Sequence, residues 1–98
     1  MIDIEVFKIL EGIALRKVRQ SVKLSKYRLG KLLNFEAKRI SLWESGQVDM
    51  RMYSVYQLCE AMGVPYSELS RVLESLITEF ESTGVMPEIS DDADAEGD

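Results

Sequence analysis

Between Leu15 and Ile40 nine basic side chains stand against a single acid, Glu36. They are Arg16, Lys17, Arg19, Lys23, Lys26, Arg28, Lys31, Lys38 and Arg39, and they give this stretch a net charge of +8. Cations at this density attract polyanions, and phosphates held by Lys and Arg are the chemistry they suit best. From Ala61 to Asp98 the balance reverses to ten acids and one base, Arg71, a net −9. The split points to one surface that draws polyanions and an opposite end that repels them. Its other reading is a set of solvated faces unrelated to any partner.

Catalytic chemistry is poorly supplied. The chain has no His and one Cys. That excludes His-dependent triads, Cys–His pairs, Cys/His zinc sites and an internal disulfide. Carboxylate or Lys chemistry remains, but no cluster for it appears, so the chain reads as a non-enzyme without metal or cofactor. Trp43 falls at core spacing rather than on a stacking platform. Cys59 reads as a buried, inert thiol. Tyr53, Tyr56 and Tyr66 fit helix ends and packing better than a binding surface.

The frame that must position the cations is small. The 98 residues are 46% apolar and carry a net charge of −5, which suits one domain. No apolar run approaches the ~20 residues of a bilayer span. The acidic start, Met1-Ile2-Asp3-Ile4-Glu5, is unlike a signal peptide, so a cytoplasmic protein is expected. Ile2 to Val6 alternate with a strand's period, while Val6 to Ile13 spread more like a helix. Residues 1–10 are therefore set apart as an extension, with Gly12 near the junction.

Five helices are expected: about Glu11–Ser21, Lys26–Leu33, Ala37–Glu44, Tyr53–Met62 and Tyr66–Ser82. Ala14, Leu15 and Val18 face inward on the first. Ser25 caps the second, whose Leu29, Leu32 and Leu33 share a face. Asn34 stops it, and Gly46 closes the third, which turns Ile40 and Trp43 inward. Val55, Leu58, Cys59 and Met62 line the fourth. Two short helices joined at Asn34-Phe35-Glu36 have helix-turn-helix spacing, with Leu29 and Ile40 locking them and Gly30 allowing close approach. Such a unit pushes its second helix toward a major groove ~12 Å wide.

From Gly12 to Leu69 the chain resembles the Cro/C1-type helix-turn-helix family, also called the XRE family. The resemblance is carried by Leu15-Arg16-Lys17-Val18-Arg19, Leu24-Ser25-Lys26-Tyr27-Arg28-Leu29-Gly30, Ile40-Ser41-Leu42-Trp43-Glu44-Ser45-Gly46 and Leu58-Cys59-Glu60-Ala61-Met62-Gly63-Val64. It implies an all-α, compact, five-helix, phage-repressor-like domain, here with an extended C-terminal helix. It also implies binding of double-stranded operator DNA, usually as a two-fold dimer. By position, Ala37, Lys38, Arg39 and Leu42 would meet bases, and Lys26, Tyr27, Arg28 and Ser41 phosphates. Lys38 and Arg39 suit guanines; Ala37 and Leu42 suit thymine methyls. Arg19 and Glu44 match a semi-buried salt bridge between the first and third helices. Asn34, Glu36 and Met50 depart from the family's usual Gly, polar cap and Pro.

The last helix carries Leu69, Val72, Leu73, Leu76, Ile77 and Phe80 as one stripe that outruns the family domain. An open apolar stripe of that length marks an interface, and pairing of two chains through it is expected. The alternative is that the N-terminal extension folds back over it. The chain thus divides into an extension (1–10), a DNA-binding domain (11–70), a dimerising continuation (71–86) and a disordered acidic tail (87–98). The expected function is a sequence-specific DNA-binding transcriptional regulator, most simply a homodimeric repressor. The alternative, from another class, is a protein-interaction adaptor or antitoxin that binds a partner protein through its ends.

Overall fold

Asp3 starts the first helix: its carboxylate accepts the Val6 backbone N–H at 2.9 Å. From this cap α1 runs unbroken over Ile4–Ser21. The computed structural model describes residues 1–87 and shows four further helices, α2 (Lys26–Leu33), α3 (Ala37–Glu44), α4 (Met52–Met62) and α5 (Ser67–Thr83). No strand occurs among the described residues, so the chain is a small all-α domain. The acidic tail expected from residue 87 lies outside the described residues beyond Pro87.

The separate extension and its strand-like start are corrected. Val6, Leu10, Ile13 and Ile9 follow helical steps, and the Asp3 cap commits Ile4 to Leu10 to the same helix. Ser25 caps α2 by accepting the Arg28 N–H at 3.0 Å. Asn34 ends it in the left-handed conformation, at φ 60° and ψ 38°. Glu36 precedes α3 but forms no side-chain cap. Gly63 ends α4 at φ 72°.

The core gathers Leu10, Ile13, Leu15 and Val18 of α1 around Leu29, Ile40, Trp43, Leu58, Leu69 and Leu76. α1 packs most extensively against α5 and next against α3, while α2 rests on α3 and α4. Gly12 lies at the α1–α3 contact, where a Cβ would meet the Trp43 carbonyl oxygen at 2.6 Å. It is a point of close approach inside a helix, not a junction. Gly30 has the same role in α2, against the Phe35 carbonyl at 2.6 Å.

The expected dimer stripe is corrected as well. Leu69 and Leu76 are buried, and Val72, Leu73, Ile77 and Phe80 pack half-buried against the core together with Ile2, Val6 and Ile9. Extending α1 by about two turns supplies the apolar face that the long α5 needs within one chain. The stripe is therefore not an open surface for a second copy. Leu32, expected to face inward beside Leu29 and Leu33, is 61% exposed. It lies about 100° around the helix from Leu33, beyond the edge of the buried face.

Candidate nucleic-acid interface

The inner side of α3 is clamped. Ile40, Trp43 and Glu44 are all buried, and Trp43 packs edge-on against Phe35 with ring centroids 5.9 Å apart. Arg19 grips the Glu44 carboxylate with a two-pronged contact, Nε to Oε2 at 2.6 Å and Nη2 to Oε1 at 3.0 Å. Its Nη1 donates to the Leu24 carbonyl at 2.9 Å, which ties the same guanidinium to the lead-in of α2. Arg16, one turn earlier, adds Nε to Glu44 Oε1 at 3.2 Å. One carboxylate thus fastens α3 to α1 through two arginines. The Arg16 contact is additional to the pair read from the sequence. Its three-residue spacing from Arg19 puts both on one face of α1 and was the available signal.

With that side held, the other side of α3 turns outward. Lys38 and Arg39 are exposed, and Ala37, Ser41 and Leu42 are half-buried. The Arg39 guanidinium lies 4.0 Å from the Phe35 ring centroid and 5.2 Å from that of Trp43, so the ring faces hold it in place. The neighbouring Lys38 has no such aromatic seat among the described residues. Lys26 opens α2 and donates from Nζ to Ser41 Oγ at 3.3 Å. Two residues assigned to phosphates thereby meet across the α2–α3 joint. Tyr27 and Arg28 are exposed one step further along α2, and the Lys31 ammonium sits 5.4 Å from the Tyr27 ring centroid.

The cations do not converge on one hollow. Tyr27, Arg28 and Lys31 border a shallow groove floored by Leu24 and Leu32. Arg39 and Leu42 border another with Val48, Asp49 and Arg51. Lys31 and Arg51 are cations at this edge of the molecule that were not assigned from the sequence. Arg51 belongs to the α3–α4 loop, and no helical spacing ties it to α3. An open, ridged, cationic surface suits an extended polyanion better than a small molecule, which a concave and mostly enclosed pocket would bury.

Other side chains fall where chemistry is quiet. Cys59 is buried, and burial pushes its thiol above the ordinary range, which keeps it protonated and unreactive. No group of His, Cys, Asp or Glu among the described residues is arranged to hold a metal ion. No helix among them is long and apolar enough to cross a membrane. Tyr53, Tyr56 and Tyr66, expected to pack, are instead exposed and lie against one another.

No protein-family model matches the chain, and no curated protein matches it.

Proposed function

We propose that the chain is a sequence-specific, double-stranded DNA-binding regulator of transcription of the Cro/C1 type, which lays α3 in the major groove. The observation that carries this reading is the two-sided character of α3. Its inner face is fixed by Ile40, Trp43 and the Arg19–Glu44 clamp, while Lys38 and Arg39 project from the outer face. A rigid mount and outward polar side chains are what base reading requires. Lys38 is the leading base reader. Arg39 must leave its aromatic seat to reach a base, at a cost of about 0.5–1 kcal/mol, and serves first at the groove edge. Lys26, Tyr27, Arg28 and Ser41 hold the backbone, and Ala37 and Leu42 offer apolar contact.

The adaptor reading needed the N-terminal extension and the long last helix as a working surface. Those two elements cover each other, which removes the working surface that reading assigned to them.

Selection of bound sequences from a random duplex pool tests the proposal. The expected outcome is enrichment of a defined motif, with preference relaxed by Lys38→Ala, which should weaken the best site by ~1–3 kcal/mol. Failure to enrich any motif, or affinity indifferent to salt, overturns it.

A further inference from the structure

The outer face of α2 carries an apolar side chain that its cations do not explain. Leu32 is 61% exposed and, with the half-buried Leu24, floors the shallow groove that Tyr27, Arg28 and Lys31 border. Phosphates gain nothing from such a floor. An acidic peptide gains from both parts of the groove. Its carboxylates pair with a guanidinium and an ammonium, and its carbon atoms cover leucine.

We infer that residues 88–98 of the same chain dock in this groove and compete there with polyanions from outside. Three arguments select this occupant. The first is charge. The segment holds Glu88, Asp91, Asp92, Asp94, Glu96 and Asp98 and no base, a net −6. The charged side chains bordering the groove, Arg28 and Lys31, are both cations, and Lys26 begins the same helix. The second is pattern. Asp92, Asp94 and Glu96 alternate with Ala93 and Ala95. Laid extended, such a run turns its methyl groups to one side and its carboxylates to the other. The methyls are small enough for a shallow floor, and the long stems of Arg28 and Lys31 reach past them to the acids. The third is reach. Met86 packs against the core, which anchors the start of the segment to the domain. Residues 88–98 extend ~36 Å at most, close to the 37 Å length of the molecule. Tethering over that distance holds the acids at an effective concentration on the order of mM, so a contact of only mM intrinsic strength forms about half of the time. An acidic peptide on another protein lacks this advantage. The competition rests on the DNA-binding reading, which gives Tyr27 and Arg28 to phosphates; the docking itself does not.

Amide resonances of the full, nitrogen-15-labelled chain at ~20 mM salt read the docking without DNA. Against the variant Asp92→Asn/Asp94→Asn/Glu96→Gln, wild type should show displaced resonances for Leu24, Tyr27, Arg28, Lys31 and Leu32. Raising the salt to ~300 mM should bring them to the variant's positions. Glu74→Gln/Glu79→Gln/Glu81→Gln removes the same charge from exposed α5 surface and should leave them displaced. Leu32→Ser should lower the salt concentration that releases the segment. In a duplex titration at low salt, the tail variant should bind about two- to tenfold tighter than wild type, and tighter than the α5 control. Spectra of wild type and tail variant that coincide at these five residues overturn the inference. So does displacement confined to α3, an α5 control with the same effect, or a release point untouched by Leu32→Ser. Docking in a chain that binds no duplex sinks only the functional proposal. Duplex binding with coincident spectra sinks only the docking.

Discussion

Glu44 shows how much of the site depends on one side chain. Its carboxylate is enclosed, and its hydrogen bonds from Arg19 and Arg16 satisfy a charge that would otherwise be stranded. Arg19→Ala would leave that charge facing only Arg16, so urea unfolding should register a loss of about 3–5 kcal/mol. Arg16→Ala should cost roughly 1 kcal/mol, because Arg16 is partly solvated and Arg19 keeps its grip. Equal losses would refute the idea that Arg19 holds the clamp. Glu11 behaves in the opposite sense. Burial pushes its carboxyl above the ordinary range, repulsion from Asp49 adds to this, and the Met50 backbone N–H works against both. The folded state therefore holds this proton more tightly than the unfolded chain does. The stabilisation from Glu11 is present below the unfolded carboxylate pKa and is lost as pH rises through the folded value. Glu11→Gln should accordingly melt higher than wild type at neutral pH, with the advantage vanishing near pH ~4. A lower melting temperature for the variant at neutral pH would contradict this.

At the scale of elements, α2 and α3 were legible because their boundaries are marked by local chemistry: Ser25 and Asn34 for one, Gly46 after the other. α1 was less so. The alternation of Ile2, Ile4 and Val6 mimics a strand, and only the Asp3 cap and the packing of Val6 and Leu10 decide for a helix. Gly12 shows why context must be added to propensity. A glycine inside a helix normally gives about 1 kcal/mol of stability when changed to Ala. Here the new Cβ would run into main-chain atoms of Trp43 and Glu44, which cannot swing aside. Gly12→Ala should therefore destabilise by ~1–3 kcal/mol in urea unfolding, with α1 pushed off α3. A gain in stability would mean that the two helices do not meet so closely.

Across the whole molecule, charge is laid out by the fold rather than by composition. The net charge is −5, yet Lys26, Arg28, Lys31, Lys38 and Arg39 all belong to the α2–α3 unit. A phosphate backbone approaching that unit meets cations within a Debye length of ~8–10 Å. Lys26→Ala should weaken binding to all duplex sequences alike and lower the slope of log affinity against log salt by about 1. A changed sequence preference in a binding titration would instead give Lys26 a role in base reading. The long α5 belongs to this scale too. Its stripe looked unpartnered because α1 was read two turns too short, and the packing of α1 on α5 absorbs it.

Local signals were enough for the helical class, the ends of α2 at Ser25 and Asn34 and the α2–turn–α3 unit, since each depends on neighbours a few residues apart; the Arg19–Glu44 pairing, 25 residues apart, was expected from the resemblance and not from spacing. Burial along α5, the seat of Arg39 on Phe35 and Trp43, the second arginine on Glu44 and the exposed tyrosines of α4 depend on which faces meet in space. Periodicity says that a helix has an apolar side. It does not say whether that side is covered by the same chain, and only packing distances answer that.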